Sequence, residues 1–260
     1  MSGDPLVSVV VSTYNRYERL MQALASVERQ TYRNLELIVV NDGSSDPRYR
    51  DAPRPPGATW IDLPRNTRET HGYPCLGHVR NVGIARARGE YLAFLDDDDT
   101  WLPGKIERQI AEIRGSGFGM CCTEVFATDG APADDLEYPR YYRDMLGLAL
   151  PSELTLEHVG EKNLITHSSV VLHRAIFDQA GPYLEVPLQG CIEGGRRVVE
   201  DWELWRGCMR YTRCRYIAEP LVHYDCKYGK LRRPGSRARL ALLRAARSLT
   251  GSTRKIPVTY

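Results

Sequence analysis

Long apolar segments are missing from this sequence of 260 residues. No stretch approaches the roughly 18 consecutive apolar residues that a membrane-spanning helix needs. The first apolar run, from Leu6 to Val11, is short, contains Ser8 and has no basic region before it, so it does not resemble a secretory signal. We therefore expect a cytoplasmic protein that does not span a membrane.

Cysteine pairs at the spacing of redox or metal motifs are also missing. The seven cysteines include no Cys-x-x-Cys pair and no Cys/His grouping at zinc-finger spacing. A disulfide framework and a zinc finger are thus disfavoured. We expect mostly buried or free thiols in a reducing compartment.

A large net charge is absent from the whole chain but not from its parts. The 35 Lys+Arg and 33 Asp+Glu leave a net charge of +2, so we expect no nucleic-acid partner. From Cys226 onward the chain has ten basic and no acidic side chains, which leaves 25 basic and 33 acidic residues, a charge of −8, before it. A basic amphipathic helix over 236–249 would suit a peripheral contact with an anionic membrane or an anionic acceptor, and a solvated surface helix is the alternative.

Strand and helix patterns alternate through the first 115 or so residues. Helical spacing starts at Arg16 and at about His78, and a third helix is expected near Pro103, a favoured first position for proline. This alternation predicts βαβ units and a mostly parallel sheet. Beyond residue 115 the patterns predict strands over 118–128, 164–172 and 215–217, a short helix from Arg174, a helix over 199–210 and an irregular segment over 129–151. The strands predicted before that point are Leu6–Val11, Leu35–Val40, Ala58–Ile61 and Glu90–Leu95.

Polar clusters follow three of the predicted strands, at 12–15, 41–46 and 96–99. Ligands of open α/β sheets bind at the carboxyl ends of the strands. Four adjacent carboxylates, Asp96 to Asp99, repel one another, and a hard divalent cation that also binds substrate phosphates would offset this repulsion. The pattern favours a nucleoside diphosphate ligand, with an acidic helix-capping loop as the alternative. Asp42 is placed to accept hydrogen bonds from a base or ribose, or else to form an Asx turn or N-cap.

Four motifs in this order resemble family 2 glycosyltransferases with the GT-A fold. They are Val-Val-Ser-Thr-Tyr-Asn-Arg at 10–16, Val-Val-Asn-Asp-Gly-Ser-Ser-Asp at 39–46, the segment that ends in four aspartates at 85–99, and Glu-Asp-Trp-Glu-Leu-Trp at 200–205. The resemblance covers about residues 6 to 225. It implies an α/β fold with a mixed, mostly parallel sheet flanked by helices. We expect a GT-A domain over 1–225, with a nucleotide-sugar half to about 115 and an acceptor half after it, then a basic tail over 226–260.

The resemblance also implies roles for residues of the donor site. Arg80, in the segment that matches the family's Ala-Arg-Asn, would lie near the diphosphate. The family's DxD element maps onto Asp96 to Asp98, which makes Asp98 the ligand of Mn²⁺ or Mg²⁺. Because all four positions are Asp, the register of that element stays open by one residue. The residues expected to bind the donor are Ser12, Thr13, Tyr14, Asp42, Arg80, Asp96 and Asp97.

By the same resemblance, Asp201 is the catalytic base. A carboxylate within hydrogen-bond reach can take the proton of an acceptor hydroxyl, which is otherwise a poor nucleophile. Glu200 and Trp202 are candidates to bind the acceptor or the sugar, although Trp202 and Trp205 are equally suited to a core position. His223 is a candidate metal ligand, but it comes earlier in the chain than the family's C-terminal histidine.

The sequence thus predicts a metal-dependent, inverting glycosyltransferase of the hexosyl-transferring type. We expect a nucleotide-sugar donor, with UDP as its nucleotide, and a hydroxyl acceptor on a glycan, a lipid-linked sugar or a small molecule. A sugar-nucleotidyltransferase is one alternative, but it calls for a glycine-rich phosphate loop where this chain has Ser-Thr-Tyr-Asn. A non-catalytic module that binds nucleotide sugars or an anionic polymer is another, and it would not need Asp201.

Overall fold

The computed structural model describes residues 3–51, 54–130, 132, 137–193 and 196–226. The predicted basic helix over 236–249 lies outside these residues. Two sheets are formed, one of nine strands and one of two. Their strands are β1 (Val7–Thr13), β2 (Leu35–Asn41), β3 (Thr59–Asp62), β4 (Tyr91–Asp96), β5 (Thr100–Trp101), β6 (Met120–Thr128), β7 (Glu153–Leu154), β8 (Val171–His173), β9 (Cys191–Glu193), β10 (Arg196–Val198) and β11 (Cys214–Asp225).

Helices cover both faces of the large sheet. No helix in the described part of the chain has the length and apolar character to cross a bilayer. A π-helical turn over Tyr141–Met145 and a 3₁₀ turn over His167–Ser169 complete the helical segments. The α-helices are α1 (Tyr17–Glu28), α2 (Arg48–Asp51), α3 (Thr67–His71), α4 (Leu76–Ile84), α5 (Lys105–Ile113), α6 (Leu156–Gly160), α7 (Arg174–Ala180) and α8 (Glu200–Cys208).

The large sheet is mixed, with its longest pairings parallel. Its strand order is β3-β2-β1-β4-β8-β6-β11-β5, and β7 also pairs with β11. Strands β3, β2, β1 and β4 are parallel neighbours, β8 is antiparallel to both β4 and β6, and β11 is parallel to β6. The predicted α/β class with a mixed, mostly parallel sheet is confirmed.

Strand register brings the three polar clusters together. Thr13 lies opposite Asn41, and Ser12 lies opposite Asp96, so β1, β2 and β4 end at the same edge. In a parallel sheet, residues that follow these ends share one crevice.

Strand β1 is buried on both faces, which explains its continuous apolar sequence. Val7, Val9 and Val11 pack on the side that α1 and α5 cover, whereas Val10 belongs to the cluster on the opposite side. That second cluster contains Trp205 of α8, which is fully buried. The helices on both sides of the sheet therefore pack against the strands that end in the polar clusters.

The prediction of a strand over 164–172 is wrong for most of its length. Only Val171 and Leu172 of that segment belong to β8, and residues 167–169 form the 3₁₀ turn. Hydroxyl groups explain the difference: Ser168 Oγ donates to Asp99 and Ser169 Oγ donates to the carbonyl of Thr166. The bond of Ser169 is local and competes with a sheet ladder, and the bond of Ser168 holds the turn against the acidic cluster.

The strand predicted over 215–217 continues to Asp225 as β11. Its pairing with β6 changes register on either side of Pro220. Proline lacks the N–H that a ladder needs and is tolerated where a bulge interrupts the pairing. The irregular segment predicted over 129–151 contains the π-helical turn, which the sequence pattern did not indicate.

Candidate active site

The loop after β1 is bound to the loop after β2 through Asn15. This residue adopts a left-handed backbone conformation with φ 50°, which asparagine tolerates better than most residues. Its side-chain oxygen accepts hydrogen bonds from the backbone N–H groups of Ser45 and Asp46. Tyr14 is consequently presented at the surface with 44% of its area exposed.

Ser12 and Thr13 lie deeper than Tyr14, at the end of β1, and both are buried. The Thr13 hydroxyl is 2.8 Å from the phenol oxygen of Tyr49, which also accepts from the backbone N–H of Arg16. The structure therefore brings Ser12, Thr13 and Tyr14 to the crevice edge, but only Tyr14 is well exposed there.

Asp42 is buried and forms hydrogen bonds with the residues at the start of α3. Its Oδ1 accepts from the Thr67 N–H at 2.8 Å, and its Oδ2 accepts from the Thr67 hydroxyl at 2.7 Å and from Asn66 Nδ2 at 3.0 Å. Burial raises the pKa of Asp42, although the hydrogen bonds from Thr67 oppose that rise. Contact of Asp42 with a base or ribose stays a prediction, since both of its oxygens already have partners.

The four consecutive aspartates point in two directions. The side chains of Asp96 and Asp98 are partly exposed, whereas Asp97 and Asp99 are buried. Arg16 Nη1 bridges Asp97 and Asp98 at 2.9 and 2.8 Å. Burial, and then the neighbouring charge of Asp96, raise the pKa of Asp98 to about 6, against the opposing effect of Arg16.

Asp99 faces away from the open side of the cluster. It accepts hydrogen bonds from Ser168 Oγ at 2.6 Å and from the backbone N–H of Asp225 at 2.9 Å. Burial, and then the charges of Asp98 and Asp96, raise its pKa well above the ordinary value. Asp99 thus connects β11 and the 3₁₀ turn to the cluster.

Arg80 connects the cluster to the start of α8. Its guanidinium donates to Asp96 at 2.8 Å through Nη2 and to Glu200 at 2.8 Å through Nη1. Burial opposes the charge of Asp96, but His167 and Arg80 outweigh it and hold the pKa of Asp96 well below its usual range. Oε2 of Glu200 is buried without a hydrogen-bond partner among the described residues.

Asp201 follows Glu200 in the first turn of α8. Its carboxylate accepts from Asn163 Nδ2 at 3.2 Å and from the backbone N–H of Trp202 at 2.6 Å. Burial and the charge of Glu200 raise the pKa of Asp201 to about 7, against the opposing effect of Arg80. A carboxylate with this pKa is suited to accept a proton near neutral pH.

The two tryptophans of α8 have different surroundings. Trp205 is fully buried and its ring packs near Phe94 and Tyr183, so it is a core residue and not a sugar platform. Trp202 is partly buried, and its Nε1 donates to the carbonyl of Val159 at 2.6 Å. Contact of Trp202 with a sugar stays a prediction.

His223 lies on β11, opposite Thr100 of β5. Its ring stacks on Phe126 with 5.6 Å between centroids and meets the ring of Tyr138 edge-on, also at 5.6 Å. Among the described residues, it does not join the aspartates in a group of three ligand atoms within 4.8 Å of one another. Metal ligation by His223 stays a prediction.

Several site residues escaped the sequence analysis. Arg16 and Asp225 bind the aspartates directly, and His167 lies with Nδ1 3.3 Å from Asp96 and Nε2 3.0 Å from the Tyr183 hydroxyl. Arg16 is adjacent to a polar cluster, which is a signal that sequence reasoning had available. The sequence gives no such signal for His167 and Asp225, because they reach the cluster from distant parts of the chain.

The match to known families covers the strands and loops that form this crevice. The family model described as glycosyl transferase family 2 matches residues 8–167, more than half of the chain. This chain belongs to glycosyl transferase family 2. The predicted family is therefore confirmed. The matched segment begins in β1, includes the acidic cluster and ends at His167.

Two bacterial relatives of this family 2 member match it over segments of different length. The putative glycosyltransferase EpsH of Bacillus subtilis is 29% identical over 223 residues, which cover 85% of this chain and 60% of that protein. The putative colanic acid biosynthesis glycosyl transferase WcaA of Escherichia coli is 36% identical over 110 residues, which cover 41% of this chain and 37% of that protein. The chain thus spans less than two thirds of either relative.

Solved structures confirm the fold of the chain. The crystal structure of S. aureus TarS 1-349 superimposes with a TM-score of 0.59 at 19% identity. The superposition covers 96% of this chain and 67% of the TarS chain. The same protein in complex with UDP-GlcNAc gives a TM-score of 0.60 at 19% identity, over 84% of this chain and 58% of that one. At this identity the likeness establishes the shared GT-A-like fold.

Proposed function

We propose that this chain transfers a sugar from a UDP-linked donor to an acceptor hydroxyl, with inversion at the anomeric carbon. The observation that carries the proposal is the buried guanidinium of Arg80, which binds Asp96 of the acidic cluster and Glu200 at the start of α8. This contact brings the candidate base Asp201 to the crevice where the nucleotide-binding strands end. A binding module would not need a carboxylate with a raised pKa at that position.

The donor would lie along the ends of β1, β2 and β4. Ser12, Thr13 and Tyr14 would contact the base and ribose, with Asp42 nearby, and Arg80, which is buried against Asp96 and Glu200, would lie near the diphosphate. The complex of TarS with UDP-GlcNAc supports a UDP-linked donor, because TarS shares this fold. UDP is therefore the first nucleotide to test.

The acidic cluster fits a divalent cation. Asp96 and Asp98 share the open side, and one guanidinium, Arg16, faces the pair Asp97 and Asp98. Burial, and then the charge of Asp96, raise the pKa of Asp98, and an ion of Mg²⁺ or Mn²⁺ type would offset that negative charge. Asp98 would hold the ion, with Asp96 and Asp97 toward the ribose and the ion. When bound, such an ion neutralises charge that develops on the departing diphosphate.

Asp201 would act as the base of a single displacement. Its carboxylate takes the proton of the acceptor hydroxyl as that oxygen forms its bond to the anomeric carbon and the bond to the diphosphate breaks. The free Oε2 of Glu200 can accept a hydrogen bond from a hydroxyl of the acceptor or the sugar. Asn163 keeps the Asp201 carboxylate oriented.

The acceptor would be a compound with a free hydroxyl. A glycan, a lipid-linked sugar and a small molecule are all compatible with the site. The name of the E. coli relative refers to the biosynthesis of colanic acid. That name favours a glycan acceptor as the first class to screen.

Release of free nucleotide from UDP-, GDP- and dTDP-sugars tests the proposal without a known acceptor. The assay relies on slow donor hydrolysis by the purified full chain with Mn²⁺, with Mg²⁺ and with a chelator. We expect release from a UDP-sugar that the chelator abolishes. Absence of both binding and release for every donor would contradict the proposed function, and chelator-resistant release would contradict the role of the cation.

A further inference from the structure

Two histidines and a glutamate meet outside the acidic cluster, between the segment that follows β3 and the segment that follows α7. His71 Nε2 lies 3.4 Å from Glu185 Oε2, and His78 Nδ1 lies 3.2 Å from Glu185 Oε1. The ligand atoms that the three residues offer are all within 4.8 Å of one another. Among the described residues, this is the one such group of three histidine, cysteine or carboxylate side chains.

We propose that His71, His78 and Glu185 form a Zn²⁺ site. Two imidazole nitrogens and one carboxylate group are a ligand set that Zn²⁺ commonly takes, with a further position left to water. Bonds of roughly 2.0–2.1 Å in a tetrahedral arrangement separate neighbouring ligands by about 3.3 Å. His71 Nε2 lies 3.4 Å from Oε2 of Glu185 and His78 Nδ1 lies 3.2 Å from Oε1, so each nitrogen is close to this distance from one oxygen of the same carboxylate.

The surroundings orient the three side chains before an ion binds. Thr70 Oγ1 lies 2.9 Å from His71 Nδ1, which leaves Nε2 of that ring to face Glu185. Asn81 binds the backbone of Tyr183 twice, at 2.9 Å in each direction, and its Nδ2 also approaches Glu185 Oε1 at 3.5 Å. Partners of this kind fix the orientation of metal ligands.

A close backbone approach at Gly77 permits the contact between the two segments. A Cβ atom added at Gly77 would lie 2.1 Å from the carbonyl oxygen of Leu184, so no other residue fits there without movement. The hydroxyl of Tyr73 also donates to the carbonyl of Glu185 at 3.0 Å. Glu185 is thereby held beside the first turn of α4, where His78 lies.

The proposed ion would connect helices α3 and α4 to the segment that follows α7. Helix α3 begins at Thr67, whose hydroxyl donates to Asp42, and Glu185 follows Tyr183, whose carbonyl accepts a hydrogen bond from Asn81 of α4. The side chains of His71, His78 and Glu185 are 21%, 32% and 43% exposed, so an ion can enter from solvent. The site is separate from the aspartates, and its occupancy does not depend on sugar transfer.

Titration of the metal-free full chain with Zn²⁺ tests the site by calorimetry and by metal content after dialysis. We expect one Zn²⁺ per chain, and we expect His71→Gln and Glu185→Gln to weaken binding by at least about tenfold. His158→Gln is the matched control, because His158 is exposed and lies outside the group. Asp98→Asn is a second control, because Zn²⁺ held by the aspartates would be lost in this variant, whereas Zn²⁺ held by His71, His78 and Glu185 should remain.

Replacement of Zn²⁺ by Co²⁺ gives a readout of the ligands themselves. We expect the intense visible absorption of tetrahedral Co²⁺ in the natural chain and in both controls, and its loss in the His71 and Glu185 variants. Circular dichroism establishes that each variant is folded. Failure of the natural chain to bind Zn²⁺ stoichiometrically at micromolar concentration would overturn the proposal, and so would equal binding by the folded His71 and Glu185 variants.

Discussion

The guanidinium of Arg80 and the carboxylate of Glu200, 120 positions apart in the chain, form a buried ion pair of 2.8 Å. Their side chains are 4% and 5% exposed. Arg80 also binds Asp96, so one cation connects the end of β4 to the first turn of α8. This relationship couples the region proposed to hold the donor diphosphate to the helix that carries Asp201.

Loss of the Arg80 cation should destabilise the protein strongly. We expect Arg80→Gln to lower the free energy of unfolding by about 3–5 kcal/mol, because it leaves buried carboxylates without a countercharge. Urea denaturation measures the change. The control is Arg54→Gln, whose pair with Asp62 is exposed and should contribute at most about 1 kcal/mol. Equal losses in the two variants would contradict the importance of the buried pair.

Removal of the Asp201 carboxylate should affect turnover and not donor binding. We expect Asp201→Asn to reduce turnover by a factor of about 10²–10⁴, the range of a general base, while UDP affinity in calorimetry stays unchanged. Glu203→Gln is the matched control, since Glu203 lies on the same helix beside Arg206 and should be dispensable. Turnover within about tenfold of the natural chain would place the base elsewhere.

The raised pKa of Asp201 predicts the pH dependence of transfer. A base acts in its ionised form, and burial and Glu200 raise the pKa of Asp201 to about 7. The ionised fraction, and with it kcat/KM, should therefore rise about tenfold per pH unit below pH 7 and level off above it. A pH–rate profile that is flat between pH 5 and 7, at about constant donor saturation, would contradict the assignment.

Asp98 should be required for cation-dependent donor binding. We expect Asp98→Asn to lose the part of UDP affinity that depends on Mn²⁺, because the remaining amide is a weaker ligand for a hard cation. Calorimetry with UDP, with Mn²⁺ and with a chelator measures this part. Asp178→Asn, at an exposed position of α7, is the control. An unchanged Mn²⁺-dependent affinity in Asp98→Asn would refute the metal role.

Lys105 should make stability depend on pH. Its side chain is fully buried, donates to Gln109 Oε1 at 2.7 Å and lies over the ring of Trp101, and burial lowers its pKa to about 7. The unfolded chain keeps this proton up to its ordinary pKa of 10.5, so between pH 7 and that value the unfolded state binds more protons.

The free energy of unfolding of the natural chain should therefore rise with pH relative to that of Lys105→Met. The expected slope of the difference is about 1.4 kcal/mol per pH unit above pH 7, and the difference should be constant below it. Urea denaturation of both proteins from pH 6 to 9 measures the slope. A pH-independent difference would mean that Lys105 stays charged in the folded state.

Sequence patterns predicted the strands that border the candidate active site with small errors at their ends. The runs that became β1, β2 and β4 are apolar, end in polar clusters and alternate with helical spacing, so local composition was sufficient. The strand predicted over 164–172 was wrong because the hydroxyl of Ser169 binds the nearby Thr166 carbonyl and that of Ser168 binds the distant Asp99, which composition does not reveal. The extension of β11 past Pro220 was missed because proline usually ends a strand.

The family, the fold class and the identity of the candidate base could be inferred from the order and chemistry of the motifs alone. Tertiary structure decided which of the aspartates face the open crevice, that Trp205 belongs to the core, and that Arg80 binds Glu200. It also brought Glu185 to His71 and His78, a set with no recognisable spacing in the chain. The physical reason is that motifs report local backbone and residue chemistry, whereas buried ion pairs and metal sites depend on which distant segments pack together.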